Sequence, residues 1–202
     1  MLYKTLSLLL IIAALGVPSN QSLADAGSVP VKWAVEKNSS LGIDGQSNIN
    51  SFSCSIDMHA GRDTIVFSND NSKSVKLTGD MDIDVAGFDC QSPLITKDLR
   101  KTLKSEEYPR MTIRFLSLQS MPEALLKPEF VKGMVEVELA GVTRRFQVDY
   151  SALKVRTGYI ILNGSHHFSF SDFKLSPPQK LGGLIKIKDD FAVNFQLILR
   201  AV

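Results

Sequence analysis

Histidine is scarce in this 202-residue chain, at three residues, and no familiar catalytic spacing surrounds any of them. His166 and His167 are adjacent, so on a strand they point to opposite faces and cannot both ligate one metal without a bulge. His59 stands alone. No C-x-x-C, H-E-x-x-H or G-x-S-x-G occurs, and Gly182-Gly183 lacks the strand-to-helix context of a phosphate loop. Enzyme chemistry is therefore not expected, and neither is a cofactor. Charge of one sign is also lacking: the formal net charge is +2, and the longest basic cluster is Arg144-Arg145. Nucleic acid is excluded as a partner on that ground. Beyond the N-terminus there is no run of about 18 apolar residues, so no membrane-spanning segment is expected once the leader is gone.

The leader itself is legible. Lys4 supplies a short positive region, residues 6–15 a short apolar core, and Ser22-Leu23-Ala24 and Ala24-Asp25-Ala26 two small-residue cleavage sites. The predicted organisation is a signal peptide over 1–24, cut after Ala24 or Ala26, and one domain over 25–202. The mature chain is expected to be periplasmic or secreted.

Cysteine is limited to two, Cys54 and Cys90, in the similar settings Phe52-Ser53-Cys54 and Phe88-Asp89-Cys90. An oxidising compartment favours a disulfide between them. Two buried thiols are the alternative.

What is abundant is period-2 alternation. Phe52, Cys54, Ile56 and Met58 alternate with serines and Asp57. Val135, Val137 and Leu139 alternate with Glu136 and Glu138, and a Gly141 turn leads to Phe146, Val148 and Tyr150. Ile160, Leu162, Phe168 and Phe170 share one parity, and Phe191 to Leu199 closes the chain in the same way. Gly42 and Gly45 predict a bend or bulge in the second strand. Asp80, Asp82 and Asp84 share a strand face, read as solvated in preference to a cation site. Residues 172–190 read as a Pro- and Gly-rich loop with a short 184–187 piece. Eight or nine such strands make an antiparallel barrel or sandwich, and the long final strands favour the barrel.

One stretch, residues 88–115, breaks the β pattern. Ser92 is placed to cap a helix with its hydroxyl, Pro93 fits the first helical position, and Leu94, Ile95, Leu99 and Leu103 recur at helical spacing. Tyr108-Pro109 ends it before the strand Met111, Ile113, Phe115. Such a helix either plugs or flanks a barrel to complete its core, or closes the end of a ligand cavity.

The in-facing residues are apolar throughout: Leu41, Ile43, Phe52, Ile113, Phe115, Val135, Val137, Phe146, Val148, Ile160, Leu162, Phe168, Phe170, Phe195 and Leu197. They form either a packed core or the lining of a long apolar pocket, and period 2 does not separate the two.

The chain resembles the YceI-like family of secreted bacterial proteins. The resemblance rests on Trp33 with Ser40, on Gly45-x-Ser47-Asn48, and on Lys97-Asp98-Leu99 followed by Leu103-Lys104-Ser105 and Tyr108-Pro109-x-Met111-x-Ile113-x-Phe115. Val131-Lys132-Gly133, Leu139-Ala140-Gly141-Val142-Thr143-Arg144, Ser171-Asp172-Phe173 with Pro177-Pro178, and Asp189-x-Phe191-x-Val193 extend it to the C-terminus. The resemblance implies an all-β fold with one short helix, an extended eight-stranded antiparallel lipocalin-like β-barrel. It also implies that the lumen binds a long isoprenoid chain, such as a polyprenyl or quinone lipid, or another amphiphile, carried or stored without chemistry. The alternative is a packed-core structural or stress-related interaction domain of the cell envelope with no ligand. Whether the chain forms a homodimer is left open.

Overall fold

A computed structural model describes residues 29–57, 63–68, 74–121 and 125–202; the leader, His59 and the 69–72 loop fall outside them. The strands are β1 (Val31–Val35), β2 (Ser40–Ser47), β3 (Ser51–Asp57), β4 (Thr64–Ser68), β5 (Val75–Thr78) and β6 (Asp80–Asp84). After the helix α1 (Pro93–Thr102) come β7 (Arg110–Leu118), β8 (Glu129–Leu139), β9 (Val142–Arg156), β10 (Tyr159–Ser169), β11 (Gln179–Lys180) and β12 (Ile185–Ala201). Alternation sets their faces. On β8, Val131, Val135, Val137 and Leu139 are buried, while Lys132 and Glu138 point to water. No helix among the described residues is long and apolar enough to cross a membrane.

The sheet closes on itself. Strands β1, β4, β5, β7, β8, β9, β10 and β12 pair in that order, and β12 pairs back onto β1. Every pairing in the ring is antiparallel. This is the expected eight-stranded barrel.

Several of its strands are bent. β12 faces β1 at Leu199–Ala201 and β2 at Ile187–Gln196, so β1 and β2 are two halves of one run. At the break, the Ile198 N–H donates to Ser39 Oγ at 3.0 Å and its carbonyl accepts from the Glu36 N–H at 2.8 Å. Ser39 is fully buried because it replaces a missing ladder partner there. The expected irregularity near Gly45 is found in the facing strand, where β12 shifts register between Ile187 and Phe191.

A second bend joins β5 to β6 at Gly79. A Cβ on Gly79 would lie 2.4 Å from the Thr64 carbonyl oxygen and 3.0 Å from Ile65 Cα, so backbone must move to admit it. Gly79→Ala is expected to cost about 1–3 kcal/mol, the range for overpacking. A lower urea midpoint at unchanged slope is the readout, and an unchanged midpoint would show that the bend relaxes freely.

Past the bends the barrel has a seam. β2 pairs with β3 and β7 with β6, but β3 and β6 do not pair with each other. Between them lies a cleft of about 660 Å³ bordered by Ser55, Ile56, Met81 and Ile83 and by several aspartates. It is stitched by an isolated bridge, with Ser55 and Asp89 exchanging N–H to carbonyl bonds of 2.8 and 2.9 Å. The Cys54–Cys90 disulfide is the covalent stitch and joins β3 to the segment that opens α1.

The helix begins at Pro93 as expected, but the Ser92 hydroxyl makes no capping bond; its carbonyl accepts from the Thr96 N–H instead. Thr96 Oγ1 accepts from the Cys90 N–H at 3.0 Å and Arg100 Nη2 donates to the Phe88 carbonyl at 3.1 Å, which pins the helix to the seam. Leu99 and Leu103 are buried, whereas Leu94 is 65% exposed and lies off the inward face. Residues 172–190 are more ordered than a loop. β12 starts at Ile185, held by β11 and by Asn48, whose Oδ1 accepts from the Lys186 N–H. Asp80, Asp82 and Asp84 face water and are used locally, by Arg114, Thr112 and the Ala86 N–H respectively. The described residues contain no group of three side chains able to hold a metal ion.

Candidate ligand-binding lumen

The ring encloses apolar side chains, and near the helix they do not quite meet. Two cavities of about 50 Å³ each lie in line along the lumen, with no polar surface in either wall. The deeper one is bordered by Phe115, Val135, Val148, Tyr150, Phe195 and Leu197, with His166 and Met81. The upper one is bordered by Ile43, Leu99, Leu103, Met111, Leu139, Phe170, Phe173 and Phe191. Leu41, Ile113, Val137, Phe168 and Val193 touch both. Leu99 and Leu103 are part of the upper wall, so α1 closes that end of the lumen.

Outside the helix lies a larger cleft of about 280 Å³. Its floor is Phe52, Ile95, Leu99, Phe170 and Ile187, and its edge carries Asn50, Asp98, Thr102 and Lys180. Leu99 and Phe170 border both this cleft and the upper cavity, so they are the partition between lumen and surface. Across the edge, Lys180 Nζ donates to Asp98 Oδ1 at 2.6 Å, tying the helix to β11.

The lumen is neutral. Burial pushes the Tyr150 phenol far above its ordinary value, so it keeps its proton. Burial, aided by the neighbouring His167, lowers His166, whose ring stands 5.4 Å from Phe146 and 4.6 Å from Phe168. Both side chains are uncharged near pH 7. Such walls suit an apolar chain and offer nothing to bind an ion.

Sequence parity places most of the wall. Leu41, Ile43, Ile113, Phe115, Val135, Val137, Val148, Phe168, Phe170, Phe195 and Leu197 border the two cavities, and Phe52 borders the outer cleft. Three expected residues do not. Ile160 and Leu162 are 3% and 1% exposed and belong to the packed half of the barrel away from α1. Phe146 is half-buried on the inward parity of Val148 and packs edge-on to Phe168 at 4.7 Å, but it borders neither cavity. Tyr150 and Val193 were missing from the expected set although they share parity with Val148 and Phe195. Met81 and His166 also line the lumen; a histidine there interrupts the apolar signal that parity reads.

Glycines shape the wall by letting rings lie flat. A Cβ on Gly164 would lie 2.1 Å from the Phe195 ring opposite it, and one on Gly45 would lie 2.3 Å from the ring of Phe52. Both rings therefore lie against backbone, which leaves room in the lumen beside Phe195 and in the outer cleft beside Phe52.

A search among curated proteins returns no match. Solved structures with the same fold include a polyisoprenoid binding domain from Saccharophagus degradans implicated in plant cell wall breakdown (TM-score 0.63, 13% identity, 84% of this chain and 98% of that one). BcnA of Burkholderia cenocepacia is similar (TM-score 0.59, 14% identity, 79% and 95%). So is the YceI protein of Campylobacter jejuni (TM-score 0.51, 21% identity, 66% and 78%). At these identities the likeness speaks for the fold. The family model of the YceI-like domain matches residues 33–199, nearly all of the barrel, and the chain therefore belongs to the YceI-like family.

Proposed function

We propose that the protein binds an amphiphilic lipid with a long apolar tail of the isoprenoid type, a polyprenyl chain or a quinone, and carries or stores it without altering it. The observation that carries this reading is the apolar surface that runs from the floor of the outer cleft, past Leu99 and Phe170, into the two uncharged inner cavities. The polar edge at Asn50, Asp98, Thr102 and Lys180 gives a head group a place beside water. The Saccharophagus neighbour, described as polyisoprenoid-binding, supports the choice of tail. The disulfide supports residence outside the cytoplasm, in the periplasm or secreted, after leader removal at Ala24 or Ala26. N-terminal sequencing of exported protein checks the cut; a retained Met1 would defeat it.

A packed-core interaction domain with no ligand is the second reading, and the tightness of the inner cavities favours it. By volume each holds only a few water-sized spheres, at about 10–15 Å³ apiece, so a long tail must push side chains aside to enter. Organic extraction of protein from its native host, followed by mass spectrometry, separates the readings. About one lipid per chain is expected, and a clean extract overturns the carrier.

Leu99 is the side chain to change in the partition. Leu99→Ala joins the upper cavity to the cleft and is expected to speed lipid release at least about tenfold, equal to roughly 1.4 kcal/mol of retention. It should also lower stability by about 2–5 kcal/mol, the usual cost of a buried leucine. Release is followed well below the unfolding midpoint. An unchanged release rate there places the route elsewhere.

A further inference from the structure

We propose that the rim of the outer cleft is a docking surface for a bilayer that contains anionic lipid. Four aliphatic side chains at this rim stand in water: Ile49 and Leu94 are each 65% exposed, Leu181 71% and Leu184 73%. They come from three separate segments, the turn between β2 and β3, the first turn of α1, and the loop between β11 and β12. Geometry brings them together. Ile49 and Leu94 border the same cleft, beside Lys180 and Ile185. Asn48 Nδ2 donates to the Leu184 carbonyl at 2.9 Å, and the Leu184 N–H donates to the Leu181 carbonyl at 3.3 Å.

The loop spends backbone freedom on this display. Leu181, Gly182 and Gly183 take φ values of 52, 65 and 93°, a left-handed run that is natural for the glycines and unfavourable for the leucine. Core packing does not explain it, because Leu181 faces outward.

The charges fit an anionic surface. Lys180, the last residue of β11, and Lys186, near the start of β12, flank Leu181 and Leu184, and Lys97 and Lys101 follow Leu94 on the helix. Asp98, the acid bordering the cleft, is paired with Lys180, so that pair is neutral and the net positive charge around the patch comes from Lys186, Lys97 and Lys101. Exposed aliphatic side chains seated among flexible lysines match the boundary of a bilayer, where the tails bury and the ammonium groups reach phosphates. The patch also surrounds the mouth of the apolar cleft. A tail could then pass between membrane and lumen without crossing water, and in that respect the proposal deepens the carrier reading.

Vesicle co-sedimentation tests it. The purified protein is spun with phosphatidylcholine vesicles, and with vesicles that also contain phosphatidylglycerol, at low and high salt. Binding to the anionic vesicles at low salt is expected, weakening at least tenfold when Leu181→Ser and Leu184→Ser are combined, and falling as salt rises. Neither leucine lines the cleft and both are exposed, so the double variant should keep its fold, read as an unchanged urea midpoint. Phe130→Ser is the control. Phe130 is 87% exposed on β8, nine residue steps along the strand from Leu139 at the helix end, roughly 30 Å at about 3.3 Å per step. Its loss should leave vesicle binding unchanged. Equal sedimentation of the double and unmutated proteins, or none by either, overturns docking. So does a dimer in vesicle-free solution that the double variant dissolves, which would assign the patch to a second copy of the chain. Vesicle binding by a protein with no extractable lipid would sink the carrier reading and leave docking standing.

Discussion

Replacing Val137 with tryptophan is expected to abolish lipid uptake while the empty barrel stays folded. Val137 is 8% exposed and borders both inner cavities, so an indole there occupies the space a tail must cross. In a core with no spare room, overpacking costs about 1–3 kcal/mol. Here the two cavities absorb part of the added volume, so the loss should sit at or below the lower end of that range. Lipid content by extraction and stability by urea unfolding are read on the same sample. If the barrel is a packed core, the variant instead loses stability at the top of the range and has no lipid to lose. That second pattern, with none bound to the unmutated protein, ends the cavity hypothesis.

The other large effect belongs to the disulfide. Cys54 and Cys90 are 36 residues apart, and loop entropy puts the stabilisation from closing such a loop at roughly 4 kcal/mol. For a domain of this size that corresponds to a fall in Tm of about 8–15 °C on reduction or in the Cys54→Ser, Cys90→Ser double variant. The loss should also be local. β3 and β6 do not pair, so without the bond the seam relies on the two hydrogen bonds between Ser55 and Asp89. Faster amide exchange is expected first in β3 and at 88–90. Equal melting with and without reductant would show that the stitch is ornamental.

The fold was largely legible because nearly every strand buries one face. Val131, Val135, Val137 and Leu139 declare both their secondary structure and their side by alternation alone. The helix was legible from Pro93 and from Leu99 and Leu103, and the two cysteines pair as an oxidising compartment favours. What alternation does not encode is distance. It says that Val137 and Phe168 face inward, not how far apart opposite walls stand, so the two small cavities could not be foreseen. It also misjudged residues whose partners lie far along the chain. Ile185 joins β12 because β11 and Asn48 hold that segment. Leu94 matches the helical spacing of the inward stripe but faces the open cleft, where the barrel wall ends. Ser92 has the residue type of a cap and the extended backbone of one, yet its hydroxyl makes no capping bond.

The ring is sealed by its first and last strands, Trp33 against Ala201 and Val35 against Leu199. The barrel cannot close until β12 reaches β1, strands at opposite ends of the domain. Before that moment the hairpin of β8 and β9 can form locally, but the lumen is an open trough with two free edges. Contacts so distant in sequence form slowly. Removing the final three residues of β12 should therefore leave an aggregation-prone open sheet, because the step that hides both edges at once is lost.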